Sequence, residues 1–277
     1  MSLPTPSADT TCLVTGASSG IGAEIARCLA RRGHGLTLVA RREERLRDLA
    51  GELAEKHSVR AEVIAADLTD ADSRGKLPAA LEERGLTVDV LVNDAGRSTW
   101  GPVAAGNRED ELQMLRLNIE ALADLCTLFL PGMAERRRGA VLNVASTAAF
   151  QPLPGQSGYA ATKAFVLAYS QGLQGELRGK GVTVTVLCPG PVDTGFGQNA
   201  GATDDETNNS LPRFMWVSVE DVAEAGVSGL EKGKHVVIPG FANQAVATIA
   251  HLSPRRVLVP AAARLHPAMR RSDSTDG

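Results

Sequence analysis

Along most of this chain, short runs of consecutive apolar residues alternate with longer stretches in which apolar positions recur at helical spacing. Residues 11–14, 35–40, 61–65, 88–92, 140–145, 182–187 and 235–238 read as strands, because each is brief, apolar and rich in β-branched residues. Helical patterns separate them, including a charged one from Arg41 to about Lys56 and two long ones, about 109–135 and 159–179. Strands without polar alternation are buried on both faces, and the intervening helices supply the cover. The pattern predicts an α/β, doubly wound (Rossmann-like) parallel sheet of about seven strands with helices on both faces. No linker or low-complexity segment divides residues 1–240, which form one expected dinucleotide-binding and catalytic domain; residues 241–277 form a helical extension and a polar tail.

Composition adds boundaries. The chain has 277 residues, 43% hydrophobic and 22% charged, with net charge -3, ordinary values for a water-soluble domain and no footprint for nucleic acid. The first ten residues lack a basic region followed by an apolar one, so no secretory signal is expected. No stretch reads as a membrane span: the weakly charged run 236–252 is broken by Pro239, Gly240 and Asn243. Cys12, Cys28, Cys126 and Cys188 are scattered among apolar neighbours without metal-ligand spacing, which fits reduced core thiols in a cytoplasmic protein. No metal site is expected.

Candidate chemistry collects at strand ends. In an open parallel sheet, ligands bind outside the carboxyl ends of the strands. There the chain places Gly16–Gly22, Arg41, Asp67, Asn93 to Gly96, Ser146, and Pro189 to Thr194. The run Gly16, Ser18, Ser19, Gly20, Ile21, Gly22 joins a strand to a helix, the arrangement that points free N–H groups at a phosphate, although a glycine cluster can also be only a tight turn. Tyr159 and Lys163 stand four residues apart, so they share one face of a helix. A phenol has an ordinary pKa of roughly 10, and a nearby cation favours its ionised form, tuning it for acid–base work on an alcohol or carbonyl. Taken alone, the same spacing describes a surface tyrosine lying over a lysine stem.

The whole set resembles the short-chain dehydrogenase/reductase family in its single-domain branch. The matching elements are Thr15 to Gly22, Asp67-Leu68, Asn93-Asp94-Ala95-Gly96, Asn118, Ser146, Tyr159 with Lys163, and Pro189-Gly190, in the family's order over about residues 10–239. Asp94 departs from the pattern, which usually has a second asparagine there. The resemblance implies that Tyr159 is the general acid or base, and that Lys163 holds the nicotinamide ribose and lowers the tyrosine pKa. It also implies that Ser146 hydrogen-bonds the substrate oxygen and that Asn118 holds a water linking Lys163 to solvent. Asp67 and Leu68 would meet the adenine. Asn93, Ala95, Gly96, Pro189 and Gly190 would shape the cofactor edge, and Val192 and Thr194 would meet the carboxamide. Family members commonly pair through the two long helices, implying a homodimer or homotetramer.

Cofactor choice rests on the end of the second strand. A carboxylate there would accept the ribose hydroxyls of NAD, whereas a 2′-phosphate calls for a guanidinium. Ala40 stands where the acid would be, followed by Arg41 and Arg42, with Ser18 as a second phosphate contact; NADP (NADPH) is therefore expected over NAD, which remains possible. Both arginines would otherwise be solvated at a helix start, where the dipole disfavours cations. Trp100, Phe150, Leu153, Phe196, Leu211, Phe214, Met215 and Trp216 are candidates to line an apolar cleft, with residues 198–209 as a lid, although core packing explains several equally well. The expected reaction is hydride transfer between a nicotinamide cofactor and a small-molecule ketone, aldehyde or secondary alcohol. Two alternatives are a silent NAD(P)-binding sensor, which intact Ser146, Tyr159 and Lys163 disfavour, and a nucleotide-sugar epimerase, whose glycine spacing differs. The basic extension would close over the cleft or pack on a second subunit, or else meet a membrane surface or partner.

Overall fold

The computed structural model describes residues 3–203, 206 and 212–272. Seven parallel strands form one sheet in the order β3-β2-β1-β4-β5-β6-β7. They are β1 (Thr10–Thr15), β2 (Leu36–Ala40), β3 (Ala61–Ala65), β4 (Thr87–Asn93), β5 (Gly139–Val144), β6 (Val182–Leu187) and β7 (Val236–Val237). The expected strands are all present, β7 reduced to two residues. Strand order reverses between β1 and β4, which opens a crevice at their carboxyl ends.

Side chains that alternate along each strand separate into two cores. Cys12, Val14, Leu36, Leu38, Val90 and Val92 face the helices Gly20–Arg31, Glu43–His57 and Val219–Glu231. Leu13, Val39, Leu91, Val141, Val184 and Val186 face the other layer, which contains Leu77–Glu82, the long helix Arg108–Glu135 and Ser157–Glu176. Each layer buries what the other cannot reach, so the central strands are apolar at nearly every position. The four cysteines lie within these cores, unpaired and buried.

Arg108–Glu135 is, among the described residues, the one helix long and apolar enough by length and composition to cross a bilayer. Here it lies on the sheet, with Met114, Asn118, Leu122, Leu125 and Met133 buried. Asn107 caps its start by accepting from the N–H groups of Glu109 (2.8 Å) and Asp110 (3.2 Å). A π turn at Arg116–Ala121 interrupts the α geometry and carries Asn118.

A polar chain crosses the second core. Asn93 Nδ2 donates to Asn143 Oδ1 (2.9 Å), Asn143 Nδ2 to Ser170 Oγ (2.9 Å), and Ser170 to the Val166 carbonyl (2.6 Å). Asn143 and Ser170 have no exposed surface, so these bonds tie β4, β5 and the helix Ser157–Glu176 in one register. Asn143→Ala strips Asn93 Nδ2 of its close oxygen acceptor. It is expected to cost about 1–3 kcal/mol in urea unfolding, and an unchanged midpoint would show that the chain contributes nothing to stability.

Candidate active site

The glycine loop is shaped by what lies against it. Gly16 adopts φ +70°, and a Cβ on Gly22 would stand 2.6 Å from Asp94 Oδ2 and 2.8 Å from the Gly16 carbonyl oxygen. A side chain at Gly22 is therefore excluded by contact. Thr15 fixes the neighbouring strand end: its hydroxyl accepts from the N–H groups of Asp94 and Ala95 (both 3.1 Å) and donates to the Val92 carbonyl (3.2 Å). Thr194 lies over the loop from the far side, 3.3 Å from where a Gly20 Cβ would be. Thus the ends of β1 and β4 meet the loop that follows β6 at one place.

Lys163 enters this junction from the helix Ser157–Glu176. Only 5% exposed, it donates from Nζ to the Val144 carbonyl (2.8 Å) at the end of β5. Its Nζ is 5.8 Å from the Tyr159 ring centroid and 3.6 Å from the position of a Gly96 Cβ. Burial pushes the ammonium down to about 8, with Asp94 pulling the other way. Burial also raises the enclosed Asp94 carboxyl to about 7, opposed by Lys163 and by the Gly22 N–H.

Tyr159 corrects one expectation. Its phenol is not lowered but pushed up to about 12, first by burial of the hydroxyl and then by Asp94 and Cys188, with Ser146 opposing. The ring stays partly open to solvent and packs on Phe196, 5.6 Å between centroids. The sequence spacing brings the ammonium onto the same helical face, 5.8 Å from the ring centroid, yet loss of water dominates the phenol. Ser146 caps the turn Thr147–Phe150 by accepting from the Ala148 N–H (3.1 Å), and its hydroxyl faces the Pro189 carbonyl (3.4 Å).

Asn118 is not the solvated polar residue that its helix alone would suggest. It is 2% exposed; Oδ1 accepts from the Arg97 N–H and Nδ2 donates to the Arg97 carbonyl (both 2.9 Å) and to Thr162 (3.0 Å). The π turn swings it toward the loop after β4, so it clamps that loop's backbone beside Gly96. Asn93 points elsewhere: its side chain enters the core toward Asn143, leaving its backbone at the cofactor edge. Ala95 and Gly96 lie on that edge.

At the end of β2, both Arg41 and Arg42 are exposed, and Arg42 donates to Ser18 Oγ (2.9 Å) and Ser19 Oγ (2.7 Å). Sequence reading named Arg41; the signal for Arg42 was the pair of serines in the glycine loop. Asp67 is exposed and accepts from the Thr69 N–H (2.9 Å), and Leu68 is buried. Pro189 accepts from the Thr147 N–H (2.8 Å), while Val192 packs against the first core. Gly190 lies so close to Asn243 that a Cβ would meet the amide at 2.4 Å. Asn243, which the sequence reading passed over, is fully buried and donates to the Met215 (2.9 Å) and Pro239 (3.0 Å) carbonyls.

The apolar candidates divide. Trp100 packs on His266 with the rings tilted at 44° and 4.9 Å between centroids, Phe150 meets His251 edge-on at 6.2 Å, and Met215 is buried. Phe214 is 75% exposed and lines nothing, because the turn Arg213–Met215 directs it outward. Leu153 is half-buried, and Trp216 lies under Arg213. Leu211 and residues 204, 205 and 207–209 of the expected lid lie outside the described residues, as do residues 273–277 of the tail. An open hollow lined by Pro6, Thr11, Gly35 and Arg60 sits at the opposite ends of the strands and gathers none of these groups.

The pair Asp94 and Lys163 gives stability a definite pH dependence. An acid whose folded pKa is raised keeps its proton better when folded, so stability falls as pH rises from about 4 to about 7. A lysine with a lowered folded pKa has the opposite slope, so stability recovers from about 8 toward the ordinary lysine range. Asp94→Asn is expected to leave the urea midpoint near pH 4 almost unchanged and to raise stability at pH 8 by roughly 2–4 kcal/mol. Parallel pH profiles for both proteins would sink this account of the carboxyl.

The short chain dehydrogenase family model matches residues 10–205. An uncharacterized oxidoreductase of Staphylococcus saprophyticus is 33% identical over 82% of this chain and 94% of its own length. Among solved structures, a short-chain dehydrogenase from Sphingobium yanoikuyae in complex with NADPH is 36% identical, covering 86% of this chain and 91% of that one, with a TM-score of 0.78. The bulky-bulky ketone specific alcohol dehydrogenase from Comamonas testosteroni is 32% identical over 92% of this chain and 96% of its own, with a TM-score of 0.73. With the strand order, the glycine loop and the family match in agreement, the chain belongs to the short-chain dehydrogenase/reductase family of oxidoreductases.

Proposed function

We propose that this protein is an NADP-dependent oxidoreductase that interconverts a ketone or aldehyde and its alcohol on a substrate with an apolar body. The observation that carries the reading is the meeting of Ser146, Tyr159 and Lys163 beside a loop in which any Gly22 side chain would collide. That loop fits a dinucleotide: its glycines leave the backbone open to close approach, it opens a helix, and it is rimmed by Arg41, Arg42 and Arg45; burial first, then the charges of Arg45 and Arg41, lowers the Arg42 pKa. Gly16, Ser18, Ser19, Gly20, Ile21 and Gly22 would hold the pyrophosphate. Arg42 with Arg41 would hold the 2′-phosphate, Asp67 and Leu68 the adenine, and Val192 and Thr194 the carboxamide. The bound nicotinamide supplies or accepts hydride.

The chain's own residues would handle the proton. A Tyr159 phenol with a pKa near 12 is protonated at neutral pH, the form that donates to a carbonyl oxygen during reduction. Ser146 would give a second hydrogen bond to that oxygen, fixing it and stabilising its growing charge. Lys163 would turn from the Val144 carbonyl toward ribose hydroxyls. Asn118, by clamping the Arg97 backbone, keeps the neighbouring loop in place; the water relay assigned to it would run through its remaining acceptor capacity. The Comamonas relative's stated preference for bulky-bulky ketones supports a substrate with large groups on both sides, as do Trp100, Phe150 and Phe196. The buried free thiols suit a reducing, cytoplasmic setting, and the helices Arg108–Glu135 and Ser157–Glu176 are the proposed subunit contacts.

Tyr159→Phe and Ser146→Ala are expected to lower kcat by about 10²–10⁴-fold while leaving the NADPH dissociation constant nearly unchanged. Full turnover in either would remove that residue from the mechanism, and saturable NADPH binding without any turnover in the parent would favour the sensor reading. Arg42→Ala should weaken NADPH on the order of tenfold or more and NADH little, with Arg41→Ala acting in the same direction but less. Equal losses for both cofactors, measured by fluorescence titration, would refute the assignment to the 2′-phosphate.

A further inference from the structure

The helix Phe241–Leu252 is apolar on two opposite faces. Asn243, Ala247 and Ala250 fall on one stripe and are buried against the body. Phe241, Ala245, Ile249 and Leu252 recur at helical spacing on the other, where Phe241 is 86%, Ile249 65% and Leu252 76% exposed. The following helix, Arg255–Leu265, buries no residue at all; Val257 and Leu265, eight residues apart on one face, are 63% and 69% exposed. An apolar helix face belongs in a core or against lipid, and among the described residues nothing covers the outer stripe here.

Charge points the same way. No aspartate or glutamate occurs between Glu231 and Asp273, a stretch that holds Lys232, Lys234, Arg255, Arg256, Arg264, Arg270 and Arg271. The chain as a whole is negative, at -3, whereas this stretch, which bears the exposed apolar stripe, carries seven basic residues and no acid. We propose that the helices Phe241–Leu252 and Arg255–Leu265 dock on the surface of an anionic lipid bilayer, with Phe241, Ile249, Leu252, Val257 and Leu265 entering the interface and the arginines meeting lipid phosphates. Apolar area and attraction to anionic headgroups are the two terms that hold such helices in the interfacial plane. An isologous contact between two copies would instead set one acid-free basic face against another.

The docked face adjoins the candidate cleft. The helix Phe241–Leu252 packs on the turn Thr147–Phe150, and Arg255 Nη1 donates to the Phe150 carbonyl (3.2 Å). If the apolar-substrate reading of the site holds, docking would set the cleft mouth beside the lipid, but the docking itself does not depend on that reading.

Flotation of the full-length protein with vesicles tests it without any activity assay. Binding is expected to vesicles of phosphatidylcholine mixed with phosphatidylserine, much less to phosphatidylcholine alone, and to weaken as salt is raised. The double variant Phe241→Ser/Leu252→Ser changes only exposed side chains and should keep the parent's circular dichroism while losing on the order of tenfold or more in bound fraction. Arg256→Glu should lose a comparable amount, chiefly at low salt. Absence of flotation, equal flotation on both vesicle types, or full binding by the double variant would each overturn the proposal. So would sedimentation velocity in which the double variant dissociates an oligomer while the parent ignores vesicles, because the stripe would then be a subunit contact.

Discussion

The Asp94 carboxyl is the point on which the catalytic edge is assembled. Its Oδ2 occupies the space a Gly22 side chain would need, it accepts from the Gly22 N–H, and it lies in the field of Lys163. This one acid thus stands between the glycine loop after β1 and Lys163 of the helix Ser157–Glu176. Loss of hydration makes the arrangement costly: it raises the carboxyl and lowers the ammonium together, and their mutual attraction offsets only part of each shift. An asparagine, the family's usual residue, would keep the acceptor for Gly22 without the charge. The acid therefore adds a titrating group to the junction between the glycine loop and Lys163.

That constraint explains why Tyr159 differs from the expectation drawn from its spacing. Four residues along a helix is a local relation, and it does bring the ammonium near the ring. Burial is not local. The hydroxyl sits where β5, β6 and the helix Ser157–Glu176 converge, with Asp94 and Cys188 also facing it, and these raise the phenol more than Ser146 lowers it. A phenol so placed keeps its proton at neutral pH.

The same division between local and assembled features decides how much of the molecule was legible beforehand. The sheet was, because strands buried on both faces leave an unbroken apolar signature, and the glycine loop was, because Gly16 and Gly22 have no substitute at those contacts. Asn118 and Asn143 were not legible from their own neighbourhoods. Each looks like an ordinary polar residue until the π turn carries one inward and β5 places the other between Asn93 and Ser170. Arg42 was overlooked in favour of Arg41 because adjacent residues at a helix start cannot be ranked without knowing which one turns toward Ser18 and Ser19. Asn243 carried no motif; only its contact with Gly190 shows that the last strand's loop and the following helix are locked together.

That lock gives the exposed C-terminal stripe a mechanical link to the site. Asn243 is on the inner face of Phe241–Leu252, wedged against Gly190 and bonded to the Met215 and Pro239 carbonyls. Phe241 and Leu252 are on the outer face of the same helix. One helix thus joins the outer face to the loop after β6, which carries Val192 and Thr194 over the glycine loop. Because the inner contacts are hydrogen-bonded and close-packed whereas the outer face is only apolar and flanked by positive charge, the helix has one fixed side and one side free to associate. Its inner side belongs to the fold, and its outer side is available to whatever surface can satisfy both greasy side chains and cations.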